Sequence, residues 1–245
     1  QWNVNFATGF RAPNVDDVGK IFDSEPGNVI VPNAELAPEY TYNAELGFIK
    51  YIADKAKIAA TIYYTHLDNA IVRRNFSFNG QDSMLYDGEL SRVQALVNAG
   101  KAYVWGYNVQ FQFNLTKKIT WKNSFTFTGG EDLVDKIPLR HIPPIFGQSS
   151  FDFKTKKLKT SLNINFNAAK PFDELSPSEQ NKTHLYTEEG TPAWFTLNWR
   201  AAYQFNKNIN FNVALENILD RHYRPFSSGI SAAGRNFVLS LRANF

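Results

Sequence analysis

Cysteine is absent from the 245-residue sequence, which excludes disulfide frameworks, thiol nucleophiles and cysteine-ligated zinc. No apolar run of about eighteen residues occurs, so a membrane-spanning helix is excluded. The formal net charge is only +3 and there is no basic tract, so nucleic acid is not an expected partner. No Gly-x-Ser-x-Gly, His-Glu-x-x-His or phosphate-binding glycine loop is present, and we expect no enzyme.

Aromatic residues and asparagine are abundant instead. Twenty-one Phe, eleven Tyr and five Trp make up 15% of the chain. Apolar and polar residues alternate with a period of two from residue 103 to residue 115, and the same pattern recurs around Ile164, Phe211 and Leu239. Sustained alternation of this kind predicts strands with one apolar and one polar face.

About ten strands are predicted, in a single architecture with no linker between domains. The predicted ranges are 1–8, 40–52, 57–70, 92–115, 119–128, 143–154, 158–168, 192–205, 209–217 and 235–245. The fourth range is too long for one simple strand, and we expect it to begin inside a loop. The last strand would place Phe245 on its apolar face.

The connections between these strands alternate in length. Short links lie at 53–56, 116–118, 155–157 and 206–208, and long links at 9–39, 71–91, 129–142, 169–191 and 218–234. Because every second connection is long, all the long ones must emerge at one end. Tight periplasmic turns and long extracellular loops are typical of an outer-membrane β-barrel, and strands of about nine residues or more are long enough to cross the bilayer. The pattern predicts an all-β, antiparallel transmembrane barrel in contact with outer-membrane lipid.

Two other interpretations stay open at this point. A complete ten-stranded outer-membrane barrel, acting as a protease or an adhesin, would also end both of its termini on the same side. A soluble β-sandwich that binds carbohydrate would show the same alternation, with its apolar faces forming an interior core.

Several short motifs follow one another in a fixed order. They are an FRAP-like box at 9–14, an NPxL-PE-like box at 31–39, an N-x-E-x-G strand at 43–47, Trp105-Gly106, Pro138-Leu139 with 142–144, 216–220 with Tyr223, and Gly234-Arg235 in the closing strand. In this order and spacing the chain resembles the TonB-dependent outer-membrane receptors over essentially its whole length.

The resemblance implies a piece of a larger protein. A whole receptor of this family has about twenty-two strands and a plug domain inside the barrel. Residues 1–245 would then be the C-terminal portion of the barrel domain, without the plug, and the absence of a signal peptide before Gln1 fits a mature or truncated piece. The implied function is energised uptake of a scarce nutrient, such as a ferric siderophore, haem or another metal chelate. The implied partners are this ligand at the extracellular loops, the plug domain, and TonB acting through the plug in the bacterial outer membrane.

Candidate ligand-binding residues lie in the long links. Arg11 is suited to an anionic ligand or a plug carboxylate, with a structural role in holding the loop through backbone carbonyls as the alternative. Tyr86, Phe172 and Tyr186 are suited to stacking on a ligand, or to packing within the loops.

An acidic stretch in the first long link invites a calcium interpretation. Asp16, Asp17, Asp23 and Glu25 lie close together, but their spacing is not that of a calcium loop. A short helix with Asn14 as its N-cap and two acids in the first turn is the favoured interpretation.

Two residues on the polar face are candidates for contact with a plug. Glu45 matches, by its N-x-E-x-G context, a barrel carboxylate that pairs with plug arginines in related receptors. The second such position is Asn108 here, so a single Arg–Glu45 pair is the remaining possibility, with a hydrated carboxylate as the alternative.

No metal or cofactor is predicted. The four histidines (His66, His141, His184 and His222) have no metal-ligand spacing, and residues 14–31, between the two boxes, contain no histidine that would serve as a haem ligand. Solvated loop histidines are the favoured interpretation.

Overall fold

The computed structural model describes residues 1–25, 27–98, 100–182 and 184–244, without the side chains of Ser24 and Glu25. The strands are β1 (Trp2–Arg11), β2 (Phe22–Glu25), β3 (Asn28–Val31), β4 (Glu39–Ile52), β5 (Ala56–Asp68), β6 (Ile71–Asn75), β7 (Ser83–Tyr86), β8 (Glu89–Asn98), β9 (Lys101–Asn114), β10 (Ile119–Asp132), β11 (Ile137–Pro138), β12 (Phe146–Lys154), β13 (Leu158–Asn167), β14 (Trp194–Gln204), β15 (Ile209–Glu216) and β16 (Asn236–Ala243). The helices are α1 (Val15–Gly19), α2 (Pro177–Gln180) and a 3₁₀ helix (Phe172–Glu174). Phe245, predicted on the apolar face, lies outside the described residues.

The main sheet is a meander of long antiparallel strands. Its order is β1-β4-β5-β9-β10-β12-β13-β14-β15-β16, with β11 paired to the end of β10. These ten strands correspond one for one to the ten predicted ranges. The connections at 53–55, 115–118, 155–157 and 205–208 are short, whereas those at 12–38, 69–100, 133–145, 168–193 and 217–235 are long. All five long links therefore emerge at one end of the sheet, called the long-loop end below, and the four tight turns lie at the short-turn end.

The predicted strand at 92–115 is divided between two sheets. Residues of β8 pair with β3, β6 and β7, and only β9 belongs to the main sheet. The chain changes direction at Gly100, which has a φ of +112° that residues with a side chain rarely adopt. The expectation that this range is too long for one strand is confirmed, but the range begins inside strand β8 of the second sheet and not inside a loop.

The main sheet buries polar residues and exposes apolar ones. On β13 and β14 the buried residues are Asn163, Asn167, Thr196 and Asn198, while Leu162 and Phe195 on the opposite face are exposed. Pairing keeps these sets on separate faces, since Asn163 lies opposite Asn198 in the register. A soluble domain shows the reverse arrangement, so the apolar face must lie against an apolar medium.

Aromatic side chains reinforce the apolar face near both of its ends. Towards the long-loop end Tyr64 stacks with Tyr103 at 5.9 Å between ring centroids. Towards the short-turn end Trp121 stacks with Phe151 at 5.6 Å, with an angle of 6° between the ring planes. Belts of this kind match the two interfacial girdles expected of a membrane barrel.

A second, smaller sheet is built from two of the long links. Its order is β2-β3-β8-β6, with β7 also paired to β8, and its β3–β8 pair is parallel. Val29, Val31, Val93 and Ala95 form its buried core. The sequence pattern does not predict β2, β3, β6 and β7, because each has only four or five residues and its apolar face is covered by a segment distant in the chain, whereas residues 92–98 of β8 fall in the predicted strand at 92–115. This small sheet stands over the long-loop end.

The two alternative architectures do not fit. Among the described residues β1 pairs only with β4 and β16 only with β15, so ten strands do not close into a barrel. The apolar rows are exposed and form no interior, as Trp105, at 37% exposure, and Leu239, at 58%, show. A sandwich core is therefore contradicted. Separately, no helix in the described ranges has the length and apolarity to cross a bilayer.

Candidate functional site

Arg11 lies where the first long link leaves the main sheet. Its Nε donates to Glu39 Oε1 at 2.7 Å, and its Nη1 donates to Asp17 Oδ2 at 3.3 Å. The other Glu39 oxygen accepts the Ile71 backbone N–H at 2.8 Å. Arg11 thus joins α1 to the ends of β1 and β4 through the carboxylates of Asp17 and Glu39. The structural role expected from the sequence was different, since it held the loop through backbone carbonyls. Its side chain is still 46% exposed, and the prediction that it contacts a ligand stays a prediction.

The acidic stretch at Asn14–Asp17 forms the predicted capped helix. Asn14 Oδ1 accepts the backbone N–H groups of Asp16 and Asp17, and Asp17 Oδ2 accepts the backbone N–H of Asn14 at 3.0 Å. This is a capping box, which satisfies the free N–H groups of the first turn. Within the described residues no group of three or more acids and histidines is arranged to hold a metal ion, and the Glu25 side chain lies outside them.

A cavity of about 630 Å³, called the vestibule below, opens between the small sheet and the third and fourth long links. Its charged lining comprises Arg11, Arg73, Arg74, Arg140, Glu39 and Asp132. Arg74 forms ion pairs with Asp132 and Asp135. The lining contains four arginines and two carboxylates, and two further acids just outside it, Asp17 and Asp135, pair with Arg11 and Arg74. Arg140 Nε and Gln94 Oε1, also in this wall, are buried without a hydrogen-bond partner.

The fourth long link is held in place by a buried carboxylate. Glu179, 1% exposed, caps α2 by accepting the backbone N–H of Ser176 at 3.2 Å and its hydroxyl at 3.0 Å. Its other oxygen accepts the His141 backbone N–H at 3.1 Å and lies 3.5 Å from the Tyr186 hydroxyl. Glu179 therefore connects the fourth long link to the third.

A buried lysine lies in the same region. Lys170 Nζ donates to the Ile142 carbonyl at 2.6 Å and lies 5.2 Å from the centre of the Phe226 ring. Burial lowers the pKa of Lys170 below its usual value, and the charges of Glu179 and Glu174 oppose that shift. Burial also raises the pKa of Tyr186, with a smaller contribution from Glu179 in the same direction. The third, fourth and fifth long links thus meet in one packed group.

A second cavity of about 290 Å³, called the side cleft below, lies between the fourth and fifth long links. Arg221, His222 and Arg224 are in its wall, and its lining contains no acidic residue. Among the described residues neither guanidinium group forms a hydrogen bond or an ion pair. Two further groups in the wall, Trp194 Nε1 and Thr191 Oγ1, are buried without a partner. The cleft therefore presents cations and unused donors to whatever enters it.

The three predicted stacking residues are all in the long links but do not form one group. Tyr86 packs against the core of the small sheet, and Phe172 forms the start of the 3₁₀ helix. Tyr186 is 4% exposed and lies 6.2 Å from the Phe226 ring, at the edge of the side cleft. In this structure Tyr86 and Tyr186 act in packing. Contact of the three with a ligand stays a prediction.

Glu45 and Asn108 both lie on the polar face of the main sheet. Glu45 is half-buried opposite Tyr63, whose hydroxyl bonds to Thr128 Oγ1 at 2.9 Å. Among the described residues the Glu45 carboxylate has no hydrogen bond or ion pair. Asn108, in contrast, donates to Thr126 Oγ1 at 2.8 Å and accepts from Gln110 Nε2 at 3.0 Å. The Glu45 carboxylate can therefore still accept a hydrogen bond or pair with a cation, whereas the Asn108 side chain already makes two hydrogen bonds within the sheet.

The histidines do not converge. His66 lies on the apolar face of β5, and His184 is exposed in the fourth long link. His222 Nε2 bonds to Ser231 Oγ at 3.1 Å, and His141 Nδ1 bonds to Ser227 Oγ. The His141–Ser227 contact joins the third and fifth long links.

We predict that this contact weakens as the pH falls. Burial is the largest cause that lowers the pKa of His141; Arg140 and Lys182 add to it, and Glu179 opposes it. Because the folded-state pKa lies below the unfolded value near 6.5, stability rises with pH through the interval below 6.5 and is least once the folded imidazole is protonated. After correction for the intrinsic, base-catalysed exchange rate at each pH, the amides of residues 217–235 should therefore be less protected from hydrogen exchange at pH 5.5 than at pH 7.5. This loss of protection should be absent in His141→Gln and present in the control His184→Gln; equal losses in both variants would contradict the assignment.

The arrangement as a whole defines a class of protein. A long antiparallel sheet with an apolar outer face, a polar inner face and its long links gathered at one end is the wall of an outer-membrane barrel. The family model "TonB dependent receptor-like, beta-barrel" matches residues 1–218. The chain therefore belongs to the TonB-dependent receptor family, whose members are outer-membrane receptors of Gram-negative bacteria and not enzymes.

Individual relatives agree with this family. The chain is 28% identical to the pesticin receptor of Yersinia pestis, over 89% of the chain and 32% of the relative. It is 25% identical to the heme/hemopexin utilization protein C of Haemophilus influenzae, over 100% of the chain and 35% of the relative. The siderophore receptor PirA of Acinetobacter baumannii superposes with a TM-score of 0.76 at 19% identity, over 100% of this chain and 39% of that one, which shows the shared fold. The chain spans about a third of the length of the curated relatives that it matches.

Proposed function

We propose that this chain is the C-terminal portion of the barrel of a receptor that imports a scarce nutrient as an anionic metal chelate, such as a ferric siderophore or haem. Capture occurs at the long-loop end, and TonB supplies energy through a plug domain that fills the lumen. The proposal extends to this chain what the names of the Haemophilus and Acinetobacter proteins say of those proteins. Family membership supports the uptake role, and the arginines of the side cleft support the ligand class.

The observation that carries the ligand class is the side cleft. Arg221 and Arg224 have no counter-charge there, and a buried indole N–H has no acceptor. A chelate with carboxylate, catecholate or propionate oxygens would supply acceptors for all of these donors. Tyr223, whose ring lies 4.3 Å from that of Trp194, adds an aromatic surface.

A double substitution in the side cleft tests capture. Arg221→Gln with Arg224→Gln should weaken binding of a panel of ferric chelates and haem by about tenfold, since hydrogen bonds to charged groups contribute about 1.5–3 kcal/mol and exposure reduces that value. Binding would be measured with the intact receptor in detergent. Lys207→Gln, in a tight turn at the short-turn end, is the control. Equal affinity in the double variant and wild type would remove the side cleft from the proposal.

The plug contact is proposed at Glu45. Its carboxylate is half-buried on the inner face and unpaired in the described chain, and an inner-wall carboxylate requires water or a cation. Asn108 contributes at most a neutral hydrogen bond, because its amide already bonds within the wall.

Glu45→Gln in the intact receptor should lower TonB-dependent uptake by several-fold, because one charge-assisted hydrogen bond is lost. Retention of the plug during detergent extraction should fall in parallel. Glu89→Gln, at the exposed β7–β8 turn, keeps the plug surface intact and serves as the control. Unchanged uptake and retention in the Glu45 variant would mean that the carboxylate is simply hydrated.

A further inference from the structure

A row of lysines crosses the polar face at the short-turn end, far from the vestibule and the side cleft. Lys154 on β12 lies directly opposite Lys159 on β13. Lys118 is next in the row, since its carbonyl accepts the backbone N–H of Lys154 at 2.8 Å. Like charges directly opposite in adjacent strands destabilise a sheet unless a counter-charge is present. Lys118, Lys154 and Lys159 are called the lysine row below.

Within the described part of the chain, this row has no counter-charge. The three lysines line a cavity of about 560 Å³ on the polar face, and Asp152 is the one acid in its lining. Asp152 is already bonded to Lys122 at 2.7 Å and to the Ser161 hydroxyl at 2.8 Å. Glu216, beyond the cavity, is bonded to Arg200 at 2.6 Å. Among the described residues no member of the lysine row forms an ion pair.

We propose that the lysine row binds carboxylates of an acidic polypeptide segment inside the barrel lumen. The inference rests on the proposed function, in which an inserted domain occupies that lumen. The inference adds that the part of this inserted domain that faces β12 and β13 near the periplasm carries Asp or Glu at alternate positions.

The geometry favours a polypeptide over lipid or a small anion. Lipid lies against the opposite, apolar face of these strands. Adjacent strands are about 4.8 Å apart, so the lysine row extends roughly 10 Å, which is more than one small anion can bridge. Alternate side chains of an extended segment lie about 7 Å apart, so two carboxylates can each contact two ammonium groups. Ala202, next in the register after Lys159, and Ala214 leave space for the segment's backbone.

Site-specific photo-cross-linking in the intact receptor tests this contact. A benzophenone amino acid would replace Ala202, beside the lysine row; Asn108, in the middle of the same inner wall; or Ile164, on the lipid face. After irradiation of outer membranes, mass spectrometry identifies each adduct. We expect position 202 to cross-link an Asp- or Glu-containing segment of the same polypeptide, position 108 another part of the insert, and position 164 no polypeptide.

Charge variants then test whether the contact is ionic. Lys154→Gln with Lys159→Gln should lower the yield at position 202 by at least about fivefold, whereas Lys154→Arg with Lys159→Arg should preserve it. Lys156→Gln with Lys157→Gln, in the adjacent turn outside the cavity lining, is the matched control. Heat-modifiable gel mobility verifies that every variant is folded.

The outcomes separate the two proposals. Adducts at position 108 but none at 202, or a yield at 202 that is independent of charge, would overturn the lysine-row contact and leave the proposed function standing. Absence of polypeptide adducts at both positions would overturn the inserted domain and the lysine-row contact together. If inorganic phosphate alone protects Lys154 and Lys159 from an acylating reagent, and no adduct forms at position 202, the lysine row would be assigned to a free anion.

Discussion

Ile164→Arg should lower the free energy of unfolding of the barrel by about 2–4 kcal/mol, the cost of placing a cation on the lipid face near the middle of the bilayer. Ile164 is central in β13, 39% exposed, and it lies on the same face as Leu162 and Phe166. An arginine there must either remain in the hydrocarbon or pull water inwards. The measurement is denaturant-induced unfolding of the intact receptor in phospholipid vesicles, followed by heat-modifiable gel mobility.

Asn165→Arg is the matched control for this prediction. It lies one residue further along the same strand, on the opposite, polar face. An added cation there lies on the polar inner face, beside water or the polar surface of the plug domain, and should change stability by less than about 1 kcal/mol. A reversed order, with Asn165→Arg the more destabilising, would mean that the two faces of the sheet have been assigned to the wrong media.

The main sheet could be predicted from sequence because each of its strands faces two different media along its whole length, and its residues therefore alternate between apolar and polar. Alternation over nine or more residues, as from Tyr103 to Leu115, is long enough to separate a transmembrane strand from a short soluble one. The order of long and short connections then fixed the end to which each loop belongs. These signals are local in the chain, so no knowledge of tertiary contacts was needed.

The small sheet could not be predicted in this way. β3 and β8 pair in parallel although about sixty residues separate them, and β3, like β2, β6 and β7, has only four or five residues with which to show a period. Their apolar residues are buried only because the two long links meet. A contact of that kind is determined by the position of the barrel strands beneath it, which local patterns do not reveal.

The candidate site shows the same division. The capping box of α1 could be predicted from Asn14 and Asp17, and a similar signal, Ser176-Pro177-Ser178-Glu179, marks the start of α2 in the fourth long link. Arg140, Arg221 and Arg224 gave no signal, because an arginine in a long loop is ordinarily solvated. Their significance follows from the cavities that they line and from the absence of neighbouring acids in the side cleft.

Glu179→Ala should release the fourth long link from the rest of the long-loop end. The substitution removes the cap of α2 and leaves the backbone N–H groups of Ser176 and His141 without their acceptor. Each unsatisfied buried donor costs about 1–3 kcal/mol, so the loss of both acceptor contacts should lower the local free energy of opening by about 2–6 kcal/mol. Hydrogen exchange across residues 168–193 measures this directly.

The same substitution should also reduce ligand capture, since the fourth long link forms one wall of the side cleft and contributes Ser176 to the vestibule. Glu179→Gln keeps the shape and one acceptor oxygen, so its effect should be intermediate. Glu188→Ala, an exposed acid in the same link, is the control and should leave both exchange and binding unchanged. If Glu179→Ala accelerates exchange while chelate affinity stays at the wild-type value, the fourth long link takes no part in capture, and the ligand must be sought among arginines outside that link, such as Arg11, Arg73 and Arg140.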